Sequence, residues 1–316
     1  MNSLLLLLLS LPLKLWAPVE ANLCVVESEQ RNGYTCHLVE YTATEGERVR
    51  SFLLVPEGVS ADHPAPGLVL LHDHGARFDI GKEKLVRPMA SAPEHIKASA
   101  RQWVDSGFDG VFFGDRLASE GYVVIVPDVL YWGERGTRKG TKKEVYEGQR
   151  AVYDSLARRG VVWAEKTLNE DAAAARLLAG LPYVWTVGCF GWSMGAHRAW
   201  LLAAFCPEVQ AGVALCWMTL KEAQPSQLSA SDYSMIIPSL RKQYDFPDIA
   251  RWISPKPFLF LSGRTDKLFP QWAVQKAFSQ MAGLPGIETQ FFDGGHHCGL
   301  AEQDRIIGFL RAALGN

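Results

Sequence analysis

Residues 184–205 read VWTVGCFGWSMGAHRAWLLAAF, and the order of residue types in this stretch decides the fold. Val184 to Phe190 is an apolar, β-favouring run of strand length. Gly195 to Phe205 is rich in Ala and Leu and reads as a helix. Between them stands Gly191-Trp192-Ser193-Met194-Gly195, a G-x-S-x-G turn with too few residues for anything but a sharp strand-to-helix reversal. Such a turn holds its serine in a strained backbone conformation at a strand's carboxyl end. Glycines are needed on either side because a side chain there would collide with the neighbouring strand or helix. The helix that starts beside Ser193 aims its first amides and its positive dipole end at the turn, where a developing oxyanion would sit.

The rest of the chain repeats this alternation. Apolar runs expected as strands are Cys24–Glu27, Tyr34–Thr42, Val49–Val55, Gly67–Leu71, Tyr122–Val126, Val213–Trp217, Phe258–Leu261 and Glu288–Phe292. Helical stretches are expected at Ile96–Asp105, Gly114–Ser119, Asn169–Leu181 and Ala301–Leu314. Strands alternating with helices imply an α/β protein with a mostly parallel sheet covered on both faces. The turn signal Asn32-Gly33 adds an antiparallel edge at the N-terminal end.

A serine hydroxyl needs a base, and the base needs an orienting acid. On this architecture they follow in the order serine, acid, histidine. Phe258–Leu261 runs into Ser262-Gly263-Arg264-Thr265-Asp266, which makes Asp266 the expected acid. Phe291-Phe292-Asp293-Gly294-Gly295-His296-His297 then supplies the base. His296, directly after Gly295, is the expected partner, with His297 packing the loop behind it. Asp293 and Asp128 are weaker rivals for the acid. The second oxyanion amide is expected from the loop Leu71-His72-Asp73-His74-Gly75-Ala76: Met194 and Ala76 are the expected donors, with Gly75 the alternative. His72, Asp73, His74, His296 and His297 could in principle form a zinc cluster. That reading accounts for neither the serine turn nor Asp266, so no metal and no cofactor are expected.

These segments, together with Gly121-Tyr122-Val123-Val124, Asp128 through Gly133-Glu134-Arg135, and Lys267-Leu268-Phe269-Pro270, resemble the α/β-hydrolase superfamily, in the group that includes dienelactone-hydrolase-like and acetylxylan-esterase-like proteins. The resemblance runs from about Val49 onward and implies a Ser193–Asp266–His296 triad. True dienelactone hydrolases use a cysteine nucleophile where this chain has Ser193, so the substrate in their name is not carried over. The resemblance implies a serine carboxylesterase acting on a small or carbohydrate-linked ester. Acyl transfer to another acceptor, or peptide cleavage, would use the same three residues, and a non-catalytic binding protein of this fold is the reading furthest from it. Trp132, Trp192 and Trp217 lie near strand ends, where they would either line the substrate pocket or pack the core.

Bulk properties agree. Of 316 residues, 48% are hydrophobic and 21% charged, enough for a large core. The net charge of −2 gives no electrostatic case for nucleic-acid binding and favours a small-molecule partner. Leu4 to Leu13 is too short to span a bilayer but fits the apolar region of a signal peptide spanning 1–21, with Val19-Glu20-Ala21 as cleavage site. A secreted or periplasmic protein without a membrane span in its mature form is therefore expected. The remainder, 22–316, reads as a single domain with a small cap around 217–252. Cys24 and Cys36 flank the Asn32-Gly33 turn and could bridge neighbouring strands. Cys189, Cys206 and Cys216 lie in apolar runs and are expected as buried thiols.

Overall fold

The computed structural model describes residues 22–43, 46–136, 140–223 and 233–315. The expected signal peptide lies outside the described residues, as does 224–232 of the expected cap. Nine strands form one sheet: β1 (Cys24–Arg31), β2 (Tyr34–Thr42), β3 (Arg48–Pro56), β4 (Ala65–Leu71), β5 (Val123–Pro127), β6 (Val184–Trp192), β7 (Val209–Leu215), β8 (Phe258–Gly263) and β9 (Ile287–Phe292). Their order is β1-β2-β3-β5-β4-β6-β7-β8-β9. The pairs β1–β2, β2–β3 and β3–β5 are antiparallel, and the ladder from β5 to β9 is parallel. This is the α/β-hydrolase fold, with its antiparallel edge at the N-terminal end.

Nine helices carry the connections among the described residues: α1 (Glu94–Gly107), α2 (Phe113–Ser119), α3 (Lys142–Arg158), α4 (Trp163–Ala179), α5 (Met194–Phe205), α6 (Pro238–Gln243), α7 (Phe246–Ala250), α8 (Gln271–Met281) and α9 (Leu300–Leu314). The alternation of side chains along each strand splits the core into two layers. Leu68 and Leu70 of β4 join the side covered by α1, α2 and α9, through Val104, Leu117 and Leu310. Val69 and Leu71 join the side covered by α4, α5 and α8, through Leu168, Leu202 and Val274. Both layers are apolar, so the inner strands read as continuous hydrophobic runs. None of the helices is long and apolar enough to cross a membrane, among the described residues.

The sheet order positions the site. From β4 the chain goes to one side for β5 and to the other for β6, so the strand order reverses at β4. In open α/β sheets this reversal opens a crevice at the carboxyl ends of the two diverging strands. The loop after β4 and the Ser193 turn after β6 flank that crevice.

The Cys24–Cys36 bridge, left open by the sequence, does not form. Across the β1–β2 ladder Cys24 faces Glu40 while Cys36 faces Glu29, and both thiols are free. Five ladder positions at about 3.4 Å each separate them, against the ~7 Å limit between the Cα atoms of a disulfide. Cys24 is also exposed and Cys36 buried. The turn itself excludes the bridge: with Asn32-Gly33 as a two-residue loop, Arg31 pairs with Tyr34 and Cys36 falls opposite Glu29.

Candidate active site

Ser193 has φ 56° and ψ −123°, a left-handed region that non-glycine residues rarely enter. The strain is held by packing on both sides. A Cβ placed on Gly191 would lie 1.9 Å from the Gly195 carbonyl oxygen, and one on Gly195 would lie 1.8 Å from that of Leu71. Only glycine permits α5 to start this close to β4. The Ser193 amide donates to the Leu215 carbonyl at 2.9 Å, carrying the β6–β7 ladder through the turn. Met194, the first residue of α5, has no intrahelical acceptor for its amide.

Asp266 stands after β8, and its side chain is almost wholly buried. One carboxylate oxygen, Oδ1, accepts from the Leu268 amide at 2.8 Å. The other, Oδ2, lies 2.8 Å from Nδ1 of His296, which stands after β9. A backbone donor thus fixes the carboxylate, and the carboxylate fixes the imidazole by its Nδ1 edge. The loop carrying His296 is tied to the Asp266 loop by Thr265 N donating to Gly294 O at 2.9 Å. His297 points elsewhere: its Nε2 pairs with Asp109 at 2.9 Å. Asp293 is exposed and pairs with Arg264, while Asp128 is buried against Lys82.

Trp132, Trp192 and Trp217 are all buried. Trp192 packs between Trp103, Phe108 and the His296 ring, whose centroid is 5.3 Å away. Trp217 sits among His197, Trp200, Phe246 and Phe269. Trp132 is fully enclosed, and its indole N–H donates to the His74 carbonyl at 3.0 Å. All three therefore build the walls behind the crevice; Trp192 alone among them lies against an expected triad residue.

The loop after β4 departs from expectation at one position. Ala76, at φ 51°, donates its amide to Nδ1 of His74 at 3.1 Å and is spent within the loop. His72 is enclosed, with Nδ1 against the Asp73 carbonyl at 2.9 Å and the Val129 amide donating to Nε2 at 3.2 Å. Burial, with Lys84 and Arg198 nearby, holds His72 well below the ordinary histidine range, so it is neutral. Neither nitrogen remains for a metal.

Cys216 is the buried thiol the sequence predicts, but its place beside the site was not legible there. It follows β7 at φ 58°, and its sulfur, Asp266 and His296 have donor atoms within 4.8 Å of one another. This is the group that could hold a metal ion among the described residues. Burial, reinforced by the Asp266 charge, pushes the thiol up to about 12. A protonated thiol is a poor ligand, and the Asp266–His296 contact already has hydrogen-bond geometry. The donor set therefore suits an acid–imidazole pair better than a metal.

Residues 107–313 match the dienelactone hydrolase family. The chain belongs to that family. A curated member of the same sequence neighbourhood, “Putative hydrolase YtaP” of Bacillus subtilis (strain 168), is 23% identical over 278 residues, covering 84% of this chain and 81% of that protein. Among solved structures, acetyl xylan esterase 1 from Thermoanaerobacterium sp. JW/SL YS485 is 14% identical with a TM-score of 0.57, covering 93% of this chain and 89% of that one. The glucuronoyl esterase from Solibacter usitatus is 12% identical with a TM-score of 0.62, covering 97% and 91%. At such identities the two structures show the shared fold. Family membership makes the protein a hydrolase, and within the dienelactone hydrolase family this chain carries Ser193 at the turn.

Proposed function

We propose that the protein is a serine carboxylesterase that hydrolyses a small or carbohydrate-linked ester through an acyl-enzyme on Ser193. The observation that carries this reading is the joint geometry of three strand ends. Ser193 is held at φ 56° beside the sheet's reversal point, and His296 is fixed by Asp266 at 2.8 Å on the strands beyond β7. A carboxylate on Nδ1 sets the tautomer that leaves Nε2 as the base. The two solved neighbours, whose names specify carbohydrate esters, favour a substrate of that class.

In this mechanism Nε2 of His296 takes the Ser193 proton as Oγ attacks the ester carbonyl, and Asp266 stabilises the imidazolium without being protonated. The amide of Met194 and one from the β4 loop donate to the oxyanion, each worth about 3 kcal/mol in the transition state. His296 then protonates the departing alcohol. Water attacks the acyl-enzyme by the same route and regenerates Ser193.

The test is hydrolysis of p-nitrophenyl esters of increasing acyl length by wild type and Ser193→Ala. We expect turnover of short esters by wild type and a fall on the order of 10⁶-fold in kcat for the variant. Retention of most activity by Ser193→Ala would remove Ser193 as nucleophile.

A further inference from the structure

Lys84 is a buried cation with no role in the reaction as written. It ends a short 3-10 turn, Lys82–Lys84, and both lysines are fully enclosed. Their surroundings differ. Lys82 is neutralised by Glu83, Asp128 and Glu134, at 2.9, 2.8 and 3.1 Å. Lys84 instead turns its ammonium on main-chain oxygens: Asp73 O at 2.8 Å and His74 O at 2.9 Å, with the Asp73 carboxylate further off at 3.7 Å.

Each of those carbonyls has a second donor. The Asp73 carbonyl also accepts from His72 Nδ1, which the Val129 amide on Nε2 fixes as the protonated nitrogen. The His74 carbonyl also accepts from Trp132 Nε1 at 3.0 Å. One residue earlier, the His72 carbonyl accepts from Arg198 Nη1 at 3.1 Å. Three consecutive carbonyls of the loop after β4 are thus drawn toward buried donors. In a trans peptide the carbonyl and the following N–H point in opposite directions. Holding the His74 carbonyl against Lys84 and Trp132 therefore turns the Gly75 amide away from them.

Two observations place this loop beside the Ser193 turn. The first turn of α5 packs on the carbonyls of Leu71 and His72, the nearest atoms to a Cβ built on Gly195. Trp103, the ring that a Cβ on Gly75 would meet, also packs on Trp192, the residue before Ser193, with ring centroids 5.8 Å apart. Gly75 itself is at φ 55°, and a Cβ there would lie 2.5 Å from both Asp73 Oδ2 and Trp103. No other residue could take that position with the loop unchanged.

We infer that Lys84 is a positioning residue for the oxyanion hole: with Trp132 it locks the His74–Gly75 peptide so that Gly75, and not Ala76, supplies the loop donor. The proposal rests on the serine-esterase reading above. A cation on the carbonyl oxygen also polarises the peptide and strengthens its N–H as a donor to a developing negative charge. Lys84 thereby acts on the oxyanion through one peptide group without touching substrate.

The experiment compares wild type, Lys84→Met and Trp132→Phe on p-nitrophenyl acetate, with functional sites counted by end-point titration with a p-nitrophenyl phosphonate. Per titrated site, Lys84→Met is expected to lose about 10²-fold in kcat with KM nearly unchanged, the pattern of a lost transition-state donor. Trp132→Phe removes one of the two donors to the His74 carbonyl and is expected to lose several-fold in kcat, again with KM held. It keeps the idea testable if Lys84→Met does not fold. A purely structural role would lower the number of titrated sites and leave kcat per site at the wild-type value, and that outcome in either folded variant overturns the proposal. Failure of the phosphonate to label Ser193 in wild type would instead refute the esterase reading beneath it.

Discussion

His296 and His297 are neighbours in the chain with opposite surroundings. One ring lies on Asp266 and the other on Asp109, and the half-exposed His297–Asp109 pair spans solvent-facing loops. On the proposed mechanism, Asp266→Asn leaves the His296 tautomer unset and should lower kcat on the order of 10³- to 10⁴-fold with little change in fold. His297→Ala should leave kcat unchanged and cost at most about 1 kcal/mol, as for other exposed pairs. Steady-state kinetics with circular dichroism separate the two, and a His297→Ala protein with the Asp266→Asn deficit would reverse their roles. The sequence contained the order serine, acid, histidine because each residue follows a recognisable strand, but loop geometry alone decides which of two adjacent histidines meets the acid. The same holds for Ala76: that its amide is spent on His74 depends on a loop conformation set by Lys84 and Trp132, residues 8 and 56 positions away in the chain.

Among the elements, the inner strands β4 to β8 were legible as apolar runs buried on both faces, and the partly exposed β1, β2, β3 and β9 by β-favouring residues beside turn signals. The helix α3 was not. Val145, Tyr146, Val152, Tyr153 and Leu156 recur at helical spacing, but they stand in a mostly polar run and only Leu156 of them is buried, so the stripe is weak. A capping box was nonetheless present in the sequence, with Thr141 accepting from the Glu144 amide and Glu144 returning the contact. The converse case is Asp171 on α4 and Arg198 on α5, two charges inside an apolar layer. The guanidinium meets the carboxylate at 2.6 and 2.9 Å, both side chains are almost fully buried, and Arg198 also reaches the His72 carbonyl. Removing one partner leaves a buried charge uncompensated, so Asp171→Ala should destabilise the protein by about 3–5 kcal/mol. Replacing both, as in Asp171→Leu with Arg198→Met, should recover most of that loss, because the desolvation of two ions is then avoided. Urea unfolding of the single and double variants measures the difference; a double variant no more stable than the single would mean the pair itself, and not relief of an orphaned charge, holds α4 to α5.

At the scale of the whole molecule, the buried histidines tie stability to pH. His72 and His197 are both enclosed, and burial holds each below its ordinary value, His197 at about 3 with the Arg198 charge adding to the effect. An unfolded histidine titrates near 6.5. Between pH 6.5 and about 3 the unfolded chain therefore takes up a proton that folded His197 refuses. Proton uptake by the unfolded state alone lowers stability as pH falls, by up to about 1.4 kcal/mol per pH unit for each such group. Asp128 works in the other direction: burial raises its carboxyl to about 6, so the folded state gains a proton first. The total slope mixes these terms, but a single substitution isolates one of them. In His197→Phe the aromatic contacts to Trp200 and Trp217 can be kept, and any packing cost is the same at every pH. The difference in unfolding free energy between pH 7.5 and pH 5.0 should then be smaller than in wild type by about 2 kcal/mol, the work of protonating one histidine over the interval below 6.5. Urea titrations at the two pH values give that difference directly. An unchanged gap would mean that folded His197 accepts its proton as readily as the unfolded chain, and that water reaches the ring within its cluster of Trp200, Trp217 and Phe246.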